Sequence, residues 1–427
     1  MAEIYLNPMK FMLRGSIITG LVDIMDKSAE KLKAEIAIIG GCGHVGLPLG
    51  LALASQGKTV VAFDIDAQKV EQTNQGTMPF RDRGADELLK TVLDKNLFRC
   101  TTDRLALKDA KIIISVTGTP VDEHLNPRLE NIQNALLSCA DMFNSDQLLI
   151  LRSTIYPGTT KHIEKELIKQ GLSMDVAFCP ERVAEGCALE EITSLPQIVS
   201  GCTKQAEERA AELFKLLTPE IIRLDPISAE LAKLFTNTWR YVQFAVANQF
   251  FTMANDYGAD FYAIHAAMTQ NYERTQGFPK AGFAAGPCLL KDTMQLSAFH
   301  NNNFFLGHAA MLVNEGLPNY LVNRMQEMFE LNEMRVGLLG MTFKADSDDI
   351  RDSLSFKLRR QLRPNCKELL CHDPYLQNDW LCALEDLLEK SDVLIVGAPH
   401  QVYKELKWPD KPIIDIWNIA EQRIKVL

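Results

Sequence analysis

With 427 residues, 47% hydrophobic and 23% charged, the chain is long enough for two or three domains with substantial cores. A formal net charge of −10 argues against nucleic acid as the main partner, although a local basic site still suits a phosphorylated ligand. The ten cysteines are scattered, with no CxxC pair and no Cys/His spacing of the zinc type, which argues against a structural metal and points to reduced thiols in a cytoplasm.

Residues 1–34 precede the first convincing strand. Ile17, Ile18, Leu21, Ile24 and Met25 recur at helical spacing and predict an accessory amphipathic helix over about 16–31. Asp23 and Asp26 interrupt the apolar run, against a signal peptide or a membrane span.

From Glu35 a β-branched run enters a glycine turn, and a helical stretch then closes at Gly57 before a second strand. Gly41, Gly43 and Gly46 supply G-x-G-x-x-G around His44 and Val45. The first glycine is expected to permit the tight turn, the second to let backbone amides approach a pyrophosphate, and the third to let helix pack on strand. Asp64 ends the second strand 18 residues after Gly46, where an acid accepts hydrogen bonds from a ribose 2′-hydroxyl and selects NAD over NADP.

Further strands are predicted over 111–116, 148–152, 174–179, 197–200 and 221–224. In an open parallel sheet, ligands lie beyond the carboxyl ends of the strands. Thr119-Pro120, Ser153-Thr154, Glu181 and Glu185 all fall there. Hydroxyls at such places are also ordinary helix caps, and the glutamates need no explanation if solvated.

A long helix is predicted from Ser228, as its cap, to Gly258. Glu230, Lys233, Asn237 and Arg240 form one polar stripe on it. The other faces, with Phe235, Trp239, Tyr241 and Phe244, read as buried almost all round, so the stripe is expected to line a site. Next comes a small-residue loop, Gly282-Phe-Ala-Ala-Gly-Pro-Cys288, with Lys291 and Asp292 just beyond. A nearby ammonium favours the thiolate and small neighbours leave room for a substrate carbon, which makes Cys288 a candidate nucleophile; a small buried hydrophobe is the alternative. A second α/β pattern follows, with strands over 335–340, 368–373, 392–397 and 412–417.

Taken in order, Gly41-Cys-Gly-His-Val-Gly-Leu-Pro48, Ser153-Thr-Ile-Tyr-Pro-Gly-Thr-Thr160, Pro180-Glu-Arg-Val183, Ala229-Glu-Leu-Ala-Lys-Leu-Phe-Thr-Asn237, the Cys288 to Asp292 loop and Gly340-Met-Thr-Phe-Lys-Ala-Asp-Ser-Asp-Asp-Ile-Arg-Asp352 resemble the UDP-sugar 6-dehydrogenases. That resemblance implies two doubly wound, Rossmann-like α/β domains joined by a long central helix and a helical middle domain. The expected division is an accessory segment over 1–34, an NAD-binding domain over 35–225, a central dimerisation domain over 226–330 and a UDP-sugar domain over 331–427.

The resemblance further implies four-electron oxidation of a sugar C6 hydroxymethyl to a carboxylate with two NAD, giving a UDP-uronic acid for polysaccharide synthesis. Cys288 would capture the aldehyde as a thiohemiacetal and carry the thioester; Lys233 and Asn237 would stabilise the oxyanion. Asp292 and Thr154 would position or activate water, Glu185 would serve thioester turnover, and Glu181 would belong to the same polar shell. Lys344 and Arg351 would meet the diphosphate and sugar oxygens, with a surface ion pair to Asp346, Asp348 or Asp349 as the plain alternative. A homodimer or higher homo-oligomer is implied, with neither nucleic acid nor membrane as partner. Ala284 and Ala285 stand where relatives carry glycines, and Leu290 where a proline is common; a positive φ at either alanine would strain the loop. Pro180-Glu-Arg is similar to the N-acetylhexosamine branches and Glu185-Gly186 to the glucose branch, so the sugar stays open. A two-electron hydroxyacid dehydrogenase and a catalytically silent nucleotide-sugar-binding protein are the alternatives.

Overall fold

The computed structural model describes residues 34–118, 134–420 and 424–425. The accessory helix predicted before residue 34, and Thr119 with Pro120, lie outside them.

The first sheet has eight strands: β1 (Ile36–Ile39), β2 (Val60–Phe63), β3 (Phe98–Thr101), β4 (Ile112–Ser115), β5 (Leu148–Leu151), β6 (Asp175–Phe178), β7 (Gln197–Gly201) and β8 (Ile221–Arg223). They lie in the order β3-β2-β1-β4-β5-β6-β7-β8, parallel except where β7 meets β6. The short, wholly apolar strands β1, β2 and β5 suit a sheet covered on both faces. Ile36, Ile38, Val60 and Ala62 enter one core, while Ala37, Ile39, Val61 and Phe63 enter the other. Order reverses between β1 and β4, which places a ligand crevice beyond their carboxyl ends. Helix α1 (Gly46–Ser55) follows β1, and α2 (Thr159–Lys169) follows β5.

The long helix α3 runs from Pro226 to Asp256. Its cap is Asp225, not the predicted Ser228: the Asp225 carboxylate accepts from Ser228 N at 3.2 Å, and Pro226 opens the first turn, where no amide is needed. Gly258, with φ of +69°, closes it as expected. The expectation that α3 is buried almost all round needs correcting. Glu230, Lys233 and Asn237 are buried, whereas Phe235 and Trp239 are 53% and 62% exposed, so on this part of the helix the polar face is inside. Helices α4 (Leu289–Phe299) and α5 (Phe305–Met328) pack against it.

The second sheet contains β9 (Arg335–Leu339), β10 (Glu368–His372), β11 (Val393–Val396), β12 (Pro412–Ile414) and β13 (Ile424–Lys425), in the all-parallel order β10-β9-β11-β12-β13. Its switch point lies between β9 and β11, so a second crevice opens at the loops 340–351 and 397–401. Among the described residues, no helix is long and apolar enough to cross a membrane, and no group of three His, Cys, Asp or Glu side chains could hold a metal ion.

Candidate active site

At the first crevice the glycines divide their work differently from the sequence expectation. Gly40, with φ of +78°, takes the left-handed position of the turn, one residue before the counted motif. Gly41 is required for another reason: a Cβ there would lie 2.6 Å from the Cβ of Ala62 on β2. A Cβ on Gly46 would meet the Gly40 carbonyl oxygen at 2.6 Å and Val116 Cγ2 at 2.9 Å, so this glycine holds α1 against the sheet. Around Gly43 the nearest such atom is 3.5 Å away, leaving the turn open to a ligand.

Val45 precedes α1 without a side-chain cap; within the first turn Leu47 N donates to the Gly43 carbonyl at 3.0 Å and Pro48 has no N–H, so an anion here would be met at the glycine turn and the very start of the helix. Asp64 accepts from Cys42 N at 3.0 Å and Asp66 N at 3.1 Å, which seats its carboxylate against the glycine turn. His44 stacks on Phe80 with centroids 4.1 Å apart, and burial, then the nearby Arg351 charge, lowers its pKa. An open turn, an uncapped helix start and an acid at the second strand's end fit the pyrophosphate and adenosine ribose of NAD.

A second cluster gathers on Asp292, which is fully buried. Asn237 Nδ2 donates to its Oδ2 at 2.6 Å and Thr154 Oγ1 donates to the same oxygen at 3.4 Å. Lys291 Nζ lies 3.3 Å from Oδ1. Three separate elements therefore converge: the loop after β5, the buried face of α3 and the first turn of α4. Cys288 occupies the cap position of α4, and its carbonyl accepts from Asp292 N at 2.8 Å. Lys233, one helical turn before Asn237, is buried and acts on the thiol as a nearby cation.

Cys288 reaches solvent, yet protein surrounds its sulfur closely enough that burial, followed by the Asp292 charge, pushes the thiol upward. Lys233 and Lys291 oppose this and do not overcome it. Against the expectation of a lysine-stabilised thiolate, desolvation outweighs the two ammonium groups, and the thiol pKa is shifted up from its ordinary value, not down.

The cysteine loop is fixed by Asn248 on α3, whose side chain donates to the Gly282 carbonyl at 3.0 Å and accepts from its amide at 2.9 Å. A Cβ on Gly286, where φ is +97°, would lie 2.6 Å from the Phe343 ring. Neither Ala284 nor Ala285 has positive φ, so the strain foreseen for them does not arise. Leu290 lies in the first turn of α4, where a proline is tolerated but not needed.

Glu181 is spent inside the first domain. Arg152, itself fully buried, approaches its Oε2 at 2.5 Å through Nη2 and 2.8 Å through Nε. Arg182 N and Val183 N donate to Oε1 at 2.7 Å and 3.1 Å. With both oxygens occupied, Glu181 anchors the 181–186 loop and has no oxygen left for a substrate hydroxyl, which corrects its expected place in the substrate shell. Glu185, further along that loop, faces the third domain. Arg351 Nη2 donates to its Oε1 at 2.7 Å, and Lys344 Nζ donates to its carbonyl at 2.6 Å. Arg351 also grips Asp349, with Nε 2.9 Å from Oδ2. Burial, aided by Asp349, pushes the Glu185 carboxyl up to about 7. The two cations expected to meet substrate therefore bridge the domains, and Arg351 forms the ion pair with Asp349 weighed as its alternative.

Asp349 and Asp373 were missed as site residues. Asp373 had a readable signal, since it ends the second strand of its sheet as Asp64 does. It accepts from Met341 N at 2.7 Å, as Asp64 accepts from Cys42 N. Arg152 and Asn248 had none, because their partners lie 29 and 34 residues away.

Residues 34–218, 227–315 and 337–422 match respectively the NAD binding, central and UDP binding domains of the UDP-glucose/GDP-mannose dehydrogenase family. The chain is similar to a UDP-N-acetyl-D-mannosamine dehydrogenase of Pyrococcus horikoshii, with 29% identity over 91% of this chain and 96% of the relative. It is also similar, at 25% identity over 90% of this chain and 94% of the relative, to an NDP-N-acetyl-D-galactosaminuronic acid dehydrogenase of Ralstonia nicotianae. A solved UDP-D-ManNAc dehydrogenase from P. horikoshii superposes with a TM-score of 0.84 at 28% identity, covering 91% of this chain and 97% of that one. A Pyrobaculum islandicum UDP-glucose dehydrogenase shares the fold, with a TM-score of 0.83 at 23% identity over 90% of this chain and 94% of that one. With all three of its domains present in order behind an NAD-type glycine turn, the chain belongs to the UDP-glucose/GDP-mannose dehydrogenase family of NAD-dependent oxidoreductases.

Proposed function

We propose that the chain oxidises the C6 hydroxymethyl of UDP-N-acetyl-D-mannosamine to the carboxylate through a covalent intermediate on Cys288. The mechanistic reading rests above all on Lys233, Asn237, Thr154 and Asp292 being buried together beside Cys288, which itself reaches solvent. The sugar is taken from the similar dehydrogenases, whose names specify it. The accompanying division of the chain is 35–225 for cofactor, 226–330 for the cysteine and pairing helix, and 331–427 for the nucleotide sugar, with 1–34 as an accessory segment.

Gly41, Gly43, His44, Val45, Gly46 and Asp64 hold NAD, and Thr119 and Pro120, outside the described residues, are assigned to the cofactor by their place in the sequence; bound NAD supplies the hydride acceptor, once for each oxidation. The alcohol loses its hydroxyl proton and a hydride from C6, giving an aldehyde. The Cys288 sulfur then bonds to the aldehyde carbon while the thiol proton passes to the carbonyl oxygen, so a neutral thiol is the appropriate resting form. Lys233 and Asn237 stabilise negative charge developing on that oxygen. Loss of the thiohemiacetal's hydroxyl proton and of its second hydride leaves a thioester. Thr154 and Asp292 orient a water on the acyl carbon, Glu185 takes its proton, and the C–S bond breaks to release carboxylate and restore the thiol. Lys344 and Arg351 exchange Glu185 for the substrate's diphosphate. Glu181 and Arg152 position the Glu185 loop.

The test is the yield of NADH per sugar consumed, over UDP-glucose, UDP-N-acetylglucosamine, UDP-N-acetylmannosamine and GDP-mannose. Two NADH with UDP-N-acetylmannosamine is the expected result. One NADH would support a two-electron enzyme, and none despite UDP-sugar binding would support a silent binding protein. Cys288→Ala is expected to abolish turnover with NAD affinity near normal; an active variant would remove the covalent mechanism.

A further inference from the structure

At the second crevice, the loop carrying Lys344 and Arg351 is tied to β11 by one fully buried imidazole, that of His400. His400 Nδ1 accepts from Asp346 N at 2.9 Å, and Nε2 lies 3.1 Å from Asp373 Oδ2 and 3.3 Å from Thr342 Oγ1. Nδ1 faces an N–H and therefore carries no proton, so the ring is a neutral tautomer that donates from Nε2 to Asp373. Thr342 in turn donates to the Lys344 carbonyl at 2.8 Å.

The backbone here needs holding. Asp346 has φ of +56°, an unfavourable conformation for a residue with a side chain. Its carboxylate accepts from Gln401 N at 2.9 Å and from the Tyr375 hydroxyl at 3.1 Å, while its amide reaches His400. The crossing is close as well, since a Cβ on Gly340 would lie 2.6 Å from Ala398 N. The Phe343 amide also donates to the Asp349 carbonyl at 3.1 Å and Lys344 Nζ to the Glu185 carbonyl at 2.6 Å, but among the anchors from the ends of β10 and β11 it is His400 that contacts both flanks of Lys344, at Thr342 and at Asp346.

We propose that His400 is a positioning residue for substrate: it never touches the sugar nucleotide, but it sets the turn from which Lys344 and Arg351 meet the diphosphate. This inference rests on the assignment of Lys344 and Arg351 to substrate. Asparagine places an amide oxygen where Nδ1 stands, and so retains an acceptor for Asp346 N, whereas alanine retains nothing.

The experiment uses the full chain, UDP as probe, and amide hydrogen exchange over 342–351. His400→Ala is expected to speed exchange in that segment and to weaken UDP binding about tenfold, the effect of losing one or two buried hydrogen bonds. It should raise KM for the UDP-sugar similarly, with KM for NAD and kcat within about threefold. His400→Asn should recover most of the exchange protection and UDP affinity. Unchanged exchange and UDP affinity in His400→Ala would overturn the proposal, and so would a loss confined to kcat. If wild type fails to bind UDP, the substrate reading falls, while the exchange comparison still decides whether His400 holds the turn.

Discussion

One guanidinium serves two carboxyl groups between the first and third domains, and they are not equivalent. Burial works against ionisation of Asp349, but its bonds to Arg351 and Glu185 outweigh this and hold it at about 2. Glu185 receives a single bond from Arg351, and burial together with Asp349 lifts it from 4.5 to about 7. Asp349, being lowered, contributes stability that is present above its unfolded pKa near 3.8 and lost as pH falls toward 2. Glu185, being raised, contributes in the opposite sense: its protonated form is accommodated below 4.5, and that advantage disappears as pH rises through 7. A Glu185 that must accept a proton during thioester hydrolysis therefore gives an acid limb in kcat/KM, which reports the free enzyme, near neutrality. Asp349→Asn removes the neighbouring charge and releases Arg351 to Glu185, so the limb should move toward lower pH by about one pH unit. A limb that stays in place or moves upward would mean that another group governs it.

At the scale of elements, the buried face of α3 connects the site to the frame. Glu230 accepts from Gly158 N at 2.5 Å and from Thr160 N at 2.9 Å, and the Thr160 hydroxyl also donates to it, so one carboxylate caps α2 and fixes the end of the loop bearing Thr154. Glu230→Ala would strand these donors at a buried place and should cost about 3 kcal/mol. The check is a lower urea midpoint for unfolding of the first domain at unchanged m, accompanied by slower turnover. An unmoved midpoint would leave the cap without structural weight. The stripe at 230, 233 and 237 was legible because helical spacing collects polar side chains on one face whatever covers it, although Arg240, read as its fourth member, is exposed and does not join the buried face. Which face was buried was not legible: an apolar face and a polar face each have a stable solution once partners are supplied. Strand β3 went unread for a related reason. Its four residues, Phe98, Arg99, Cys100 and Thr101, form no apolar run, and the parallel register with β2 supplies the pairing that local propensity does not.

For the whole molecule, we propose that the outward face of α3 meets a second copy of the chain. Phe235, Trp239, Val246, Phe250, Met253 and Tyr257 are all exposed, and at 100° per residue they fall within about 60° of one another around the helix. From Phe235 to Tyr257, the residue that caps the helix, the stripe rises about 33 Å and leaves a long apolar ridge in water. A two-fold axis across α3 would lay this ridge against itself and bury both copies. The same helix holds Lys233, Asn237 and Asn248 on its inner face, so pairing would also stiffen the element that supports the cysteine loop. Wild type is therefore expected to sediment as a dimer or a multiple of it, and Trp239→Glu with Phe250→Glu as a monomer of unchanged helical content. The monomer should bind NAD normally, because Gly41 to Asp64 lies in the separate first sheet, and should turn over more slowly as α3 loosens. A double variant that remains dimeric would place the subunit contact elsewhere, and a dimer-free wild type would leave the ridge without this partner.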